Sequence, residues 1–244
     1  MKQSLLTILF TFVLVNASKA QQVTHIVHAN GYLQRQVNSI LSHNIKRLNA
    51  INGQVIIMDC KSGEIKAMVN LMNTKSGIKP AIRQLSEPTA LMRTVSLLTA
   101  LEQGKVKPND SIDTKAGMLD INGYLLKDYN WLRGGNGKTS VQQGFLLSSN
   151  IATYLTVKQA FGKEYDRFYK AITNMGYGLP QNSFKAILPN PYNDISLAKF
   201  VNGKNQQISP LQILTFYNAI ANNGKMVKPT FHKRDTTIIK EQIA

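Results

Sequence analysis

The stretch Ser86-Glu87-Pro88-Thr89-Ala90-Leu91-Met92-Arg93 joins a turn-rich segment to an apolar helix. Pro88 suits a first helical turn, where its missing N–H has no intrahelical partner to lose. Leu91, Val95, Leu98 and Leu101 then recur at helical spacing, and Gly104 ends the run. On such a helix Ala90 and Arg93 are three apart, so their side chains share a face.

Upstream, Gln54–Asp59 and Ile65–Leu71 are β-rich runs on either side of the turn-formers Lys61-Ser62-Gly63-Glu64, which predicts a hairpin. Before it, Leu33, Val37, Ile40, Leu41, Ile45 and Leu48 mark an amphipathic helix over Tyr32–Leu48. Residues 73–86 carry Gly, Pro and Ser and read as a loop. Downstream, Lys105–Gly137 reads as long irregular coverage around the lone Trp131. Ser140 can cap a helix that runs to Leu147. A second helix starts near Asn150, runs to Phe161 and breaks at Gly162, and Tyr165–Met175 forms another. Residues 176–208 read as loop-rich. Ser209-Pro210 then opens a last helix over Leu211–Asn222, stopped by Gly224. One helix, a hairpin and several further helices give an α+β chain with an antiparallel sheet and a large helical part.

Several of these stretches together resemble the transpeptidase domain of penicillin-binding proteins. In that family a Glu-Pro-Gly leads into Ser-x-x-Lys, whose serine attacks a carbonyl while the lysine takes its proton. Here Thr89 stands at the glycine, Ala90 at the serine and Arg93 at the lysine. Alanine carries no nucleophile, and a guanidinium is always charged and cannot act as a base. Ser148-Ser149-Asn150 resembles the family's Ser-x-Asn motif, which assigns Ser148 a relay role and Asn150 a substrate-binding role. Gly53–Asn70 is similar to the family's first hairpin, Asn174–Leu179 to its Phe-Gly-type turn, and Ile208–Pro229 to its Ser/Thr-Pro-Leu-Gln helix and following turn. Two other Ser-x-x-Lys strings, Ser76–Lys79 and Ser196–Lys199, do not follow Glu-Pro and read as chance matches. The family's third motif, Lys-Thr/Ser-Gly, has no counterpart in a suitable place before Ala244. Lys61-Ser62-Gly63 lies in the hairpin turn and Lys75-Ser76-Gly77 in the early loop. The resemblance therefore implies an incomplete, β-lactamase-like transpeptidase fold over residues 31–244, truncated before that motif. It also implies a relation to peptidoglycan cross-linking without intact serine acyl-transfer machinery, in a pseudoenzyme or a truncated remnant.

Composition narrows the surroundings. Hydrophobic residues make up 43% and charged residues 17%, the balance of a globular chain. Lys2, the apolar run Leu5–Val15 and Ser18-Lys19-Ala20 have the form of a cleaved signal peptide over residues 1–20, with residues 21–30 as a linker. Export to the periplasm or the extracellular space follows, which argues against nucleic acid as a partner. The formal charge is +16, and removing two lysines, Lys2 and Lys19, leaves +14. A peptidoglycan stem peptide, a cell-wall protein or an anionic envelope polymer remains as partner. An alternative function is thus a cationic module that binds anionic wall or membrane polymer by charge. The single Cys60 rules out an internal disulfide and reads as a small buried hydrophobe. His25 and His28 are too few to hold a metal, and no cofactor is expected.

Overall fold

The computed structural model describes residues 31–80, 85–180, 185–231 and 239–242. The expected signal peptide, the linker and the two histidines at 25 and 28 lie outside the described residues. The chain divides into two compact units, Met1–Ile82 with Val227–Ile238, and Arg83–Met226 with Ile239–Ala244.

The first unit holds helix α1 (Gly31–Arg47) and an antiparallel sheet in the order β1 (Asn52–Met58), β2 (Ile65–Thr74), β3 (Gly77–Pro80). Successive side chains of a strand face opposite ways, so β2 buries Ile65, Ala67, Val69 and Leu71 and leaves the residues between them half-exposed. Ala67, Val69 and Leu71 pack with Val37 and Ile45 of α1, with Val55, Ile57 and Ile78 closing round them. The expected hairpin and first helix are present. The loop expected over residues 73–86 instead contains β3, paired with Leu71–Thr74. Met68 lies beyond the reach of β3, and the Gln34 amide satisfies its peptide, donating to the carbonyl at 2.8 Å and accepting from the N–H at 2.9 Å. A side-chain amide thus closes part of a strand edge that would otherwise be open. In the β1–β2 turn, Asp59 accepts from the Ser62 N–H at 2.7 Å and the Lys61 N–H at 3.1 Å. Gly63, at φ +73°, lies so close to the Lys228 carbonyl that a Cβ would stand 2.6 Å from its oxygen. Cys60 is exposed in this turn, not buried; the apolar run ends at Met58, before the chain bends.

The second unit is largely helical. A 3-10 turn, Thr89–Leu91, leads into α2 (Met92–Glu102), so Pro88 opens a 3-10 turn and the α-helix starts later. Then come β4 (Ser111–Asp113), β5 (Met118–Ile121), β6 (Tyr124–Lys127), β7 (Lys138–Ser140), α3 (Val141–Leu146), α4 (Asn150–Phe161), α5 (Tyr165–Asn174), α6 (Asp194–Val201) and α7 (Pro210–Ala221). Short strands β8 (Lys225–Val227) and β9 (Ile239–Gln242) pair with each other. Helix α4 buries Ile151, Tyr154, Val157, Ala160 and Phe161 together with Ala152, Thr153 and Thr156. Burial on nearly every side marks it as the central helix. Around it, Phe168 meets Phe161 and Phe200 edge to face, at 5.3 and 6.0 Å between ring centres.

The helix starts follow local chemistry. Ser140, Ser149 and Ser209 each accept a backbone N–H at the head of α3, α4 and α7, and Ser209 forms a capping box with Gln212 ahead of Pro210. Two expectations need correction. The stretch Lys105–Gly137 is not irregular throughout: β5 and β6 form a hairpin on Asn122-Gly123, at φ 51° and 86°, the left-handed pair that a tight primed turn demands. The loop-rich stretch 176–208 contains α6, held by a capping box between Asn193 and Ser196.

Candidate functional site

The segment before α2 is pinned by the loop after α6. Ser86 exchanges backbone hydrogen bonds with Ile208, and the Thr89 N–H donates to the Gly203 carbonyl at 3.3 Å. The Glu87 carboxylate accepts the Asn205 N–H at 2.8 Å and the Lys204 ammonium at 3.2 Å. These hydrogen bonds, the backbone one foremost, hold its carboxyl below the ordinary range. Thr89 sits at φ 48° in the left-handed region, and Gly203 faces it at φ +75°. A Cβ on Gly203 would stand 2.2 Å from the Thr89 carbonyl oxygen, so the two backbones touch.

Thr89, Ala90 and Arg93 line a pocket of about 360 Å³ together with Asn150 of α4, Tyr124–Lys127 of β6, Ala198 and Lys199 of α6, and Asn202 and Lys204 beyond it. The Arg93 guanidinium donates through Nη2 to Asn150 Oδ1 at 2.7 Å. The Asn150 amide nitrogen donates in turn to the Lys127 carbonyl at 2.7 Å. Desolvation pushes the Arg93 guanidinium below its ordinary range, and the nearby Asp128 carboxylate opposes that shift. Asp128 is 2% exposed. It accepts the Ser149 hydroxyl at 2.7 Å and the Ile151 N–H at 3.1 Å. It therefore sits at the N-terminus of α4, where a negative charge is favoured. Ser149 serves as both cap and donor, accepting the Ala152 N–H at 2.9 Å while giving its own proton to Asp128.

Of the residues singled out from sequence, the structure brings Ala90, Arg93 and Asn150 to one pocket. Ser148 is exposed at φ 54° and is not among the residues that line it. Ser196, of the second Ser-x-x-Lys string, spends its hydroxyl in the α6 capping box. Its Lys199, however, reaches the pocket and lies over the Tyr124 ring at 5.1 Å. Sequence reasoning missed Lys127, Asp128 and Asn202, and set Lys199 aside with its string. The Asn-Gly turn was the available signal for the β5–β6 hairpin that carries Lys127. Among the described residues no group of three or more His, Cys, Asp or Glu could hold a metal ion, and no helix is long and apolar enough to cross a membrane.

A family profile described as the penicillin binding protein transpeptidase domain matches residues 53–243. The chain belongs to that family. It is 28% identical over 217 residues to "Penicillin-binding protein PbpB" of Mycolicibacterium smegmatis, covering 79% of this chain and 32% of that protein. It is 27% identical over 227 residues to "Peptidoglycan D,D-transpeptidase FtsI" of Escherichia coli K12, covering 86% and 36%. The chain thus spans about a third of the length of these relatives. Among solved structures it is similar to a peptidoglycan glycosyltransferase from Burkholderia ambifaria, with a TM-score of 0.74 at 23% identity over 89% of this chain and 68% of that one. The transpeptidase domain of Burkholderia pseudomallei penicillin-binding protein 3 gives a TM-score of 0.71 at 21% identity, covering 89% and 64%. The fold is the α+β fold of these transpeptidase domains, represented in part.

Proposed function

We propose that this chain is an exported, non-catalytic member of the penicillin-binding transpeptidase family, one that engages a peptidoglycan stem peptide or a cell-wall protein without acylating it. The observation that carries the reading is the pairing of Arg93 with Asn150 at 2.7 Å in a pocket where Ala90 stands at the nucleophile position. The methyl group of Ala90 offers no attacking oxygen. Thr89 brings a hydroxyl to the same pocket, but Arg93 keeps its proton at any physiological pH and cannot accept another. Nucleophile and base act as a unit, so the loss of either removes most of the rate. The Asn150 carbonyl, which would orient a neutral lysine, is occupied by a permanent cation. The Lys2-to-Ala20 segment supports export, with a mature chain starting at Gln21.

The test is intact-mass spectrometry after incubation with excess penicillin. An unchanged mass is expected, and a penicilloyl adduct on the natural chain would sink the non-catalytic reading. N-terminal sequencing of the exported form should begin at Gln21; a start at Met1 would sink the cleaved signal.

A second reading, a cationic module for anionic envelope polymer, draws support from the four cations that line the same pocket. Pelleting with purified envelope polymer distinguishes the two, because charge-driven binding falls steeply with salt.

A further inference from the structure

A second hollow of the helical unit, an open groove of about 880 Å³, shares no lining residue with the Arg93 pocket. It is lined from the start of α5 by Glu164, Asp166 and Arg167, and from the loop before α6 by Asn190, Pro191 and Tyr192. Tyr192 is 77% exposed, and among the described residues its ring meets no other ring or cation. Its backbone is nonetheless fixed. Pro189 and Pro191 restrict the loop, and Pro191 is buried. The Tyr192 N–H donates to Ser196 Oγ at 2.9 Å, and the Leu188 carbonyl accepts the Tyr169 hydroxyl at 3.0 Å. Ile187 exchanges backbone hydrogen bonds with Gln207. An aromatic face is thus presented on a backbone with little freedom left to lose.

The polar side chains of the lining are tied to one another and keep spare capacity. Arg167 donates through Nη1 to Glu164 at 2.7 Å and through Nη2 to Gln103 at 2.6 Å. The Asn190 amide nitrogen donates to Asp166 Oδ1. These bonds fix the planes of the groups. The other Asp166 oxygen and the Asn190 side-chain oxygen have no partner among the described residues, and both residues are exposed, so these acceptors are open to a ligand. Charge nearly cancels, with Lys163, Arg167 and Lys170 against Glu164 and Asp166, which favours no strongly charged ligand. No aliphatic side chain lines the groove, so it lacks the pocket in which an apolar peptide side chain would anchor.

We infer that this groove is a non-covalent site for a neutral saccharide. A pyranose ring presents a face of polarised C–H groups, which packs on the negative face of an aromatic ring such as that of Tyr192. Its hydroxyls both donate and accept, so they can give to Asp166 or Asn190 while taking from Arg167. The fixed loop and the cross-linked polar groups lower the cost of ordering the site on binding.

The experiment is NMR titration of the full chain with three tetrasaccharides: chitotetraose, cellotetraose and maltotetraose. At least one is expected to bind with a Kd in the low millimolar range or tighter, with saturation transfer strongest at the sugar's ring protons. Chitotetraose and cellotetraose share a linkage, so preference for chitotetraose assigns an acetamido sugar and equal binding a plain pyranose. Preference for maltotetraose assigns the bent linkage. Tyr192→Ala should weaken the favoured probe about tenfold, and Tyr192→Phe, which keeps the ring, by no more than about twofold. Asn190→Ala should weaken it about threefold. Tyr192 is exposed, so its variants should melt as the wild type does and report on binding alone. No binding by any of the three at about 10 mM, or a Tyr192→Ala variant that binds as tightly as the wild type, overturns the inference. So does an equal loss in Tyr192→Ala and Tyr192→Phe, which would place the contact at the hydroxyl and not at the ring. Neither Ala90 nor Arg93 takes part, so failure here leaves the non-catalytic reading standing.

Discussion

Replacing Thr89 by glycine should stabilise the protein. Thr89 is held at φ 48°, and an L-residue in the left-handed region costs about 1–2 kcal/mol. A β-branched side chain lies at the upper end of that range, because its second branch crowds the backbone. Glycine removes this strain but gives back roughly 0.5–1 kcal/mol, since it has more conformational freedom to lose on folding. The net gain is then about 1–1.5 kcal/mol, or roughly 2–6 °C in melting temperature for a chain of this size. The backbone has no easier conformation to adopt, because the Thr89 N–H bonds the Gly203 carbonyl and the facing Cα of Gly203 leaves no room to rotate away. Thermal and urea melts of the wild type, Thr89→Gly and Thr89→Ser decide it, with serine expected to give only part of the gain. A Thr89→Gly melt at or below the wild-type value would refute the strain argument. Gly203→Ala is the complementary test: its Cβ would lie 2.5 Å from the Thr89 nitrogen, and a loss of more than about 2 kcal/mol is expected.

Three further outcomes are expected. Asp128→Ala should cost about 3 kcal/mol in urea unfolding, because it strips the Ser149 hydroxyl and the Ile151 N–H of their acceptor and leaves Arg93 without its counter-charge; a loss below about 1 kcal/mol would contradict the role given to it. The Glu87 carboxyl is lowered from its ordinary value of 4.5, so its contribution is fully present above that value and is lost as pH falls through the folded value. Melting temperature should therefore fall more steeply on acidification in the wild type than in Glu87→Gln, and parallel acid limbs would exclude the proposed link. Gly135→Ala should be far more damaging than Gly123→Ala, since a Cβ at Gly135 would sit 2.1 Å from the Gly117 nitrogen while one at Gly123 meets nothing within 4 Å; equal melts for the two variants would show that the close approach is absent.

Elements governed by local rules were legible from the sequence. Helix α1 and the β1–β2 hairpin follow hydrophobic period, and α3, α4 and α7 begin at serines that do cap them. Elements held by partners distant in sequence were not. Strand β3 exists because Leu71–Thr74 offers it an edge, and its own four residues carry little β signal. Helix α6 is only eight residues long, too short for its period to stand out between turn-formers. The β5–β6 hairpin was legible in principle, through Asn122-Gly123, but Met118–Ile121 and Tyr124–Lys127 are too short for an alternation to announce strands.

The same division runs through the site. Positions 90 and 93 were identified by motif spacing, because a helical turn fixes their relation within the chain itself. What surrounds them depends on pairings across long separations: Arg93 with Asn150, Asn150 with Lys127 and Asn202, Glu87 with Asn205. None of these residues is unusual alone, and an asparagine between a serine and an isoleucine reads as a helix start, which Asn150 also is. The exchange at position 93 shows why the distinction matters. A lysine and an arginine both leave a cation at this site, but the guanidinium has more donors than Asn150 Oδ1 can satisfy, and Nε remains buried without an acceptor. Local sequence could reveal that the base was gone; only the packed structure reveals that its replacement takes the Asn150 side-chain oxygen.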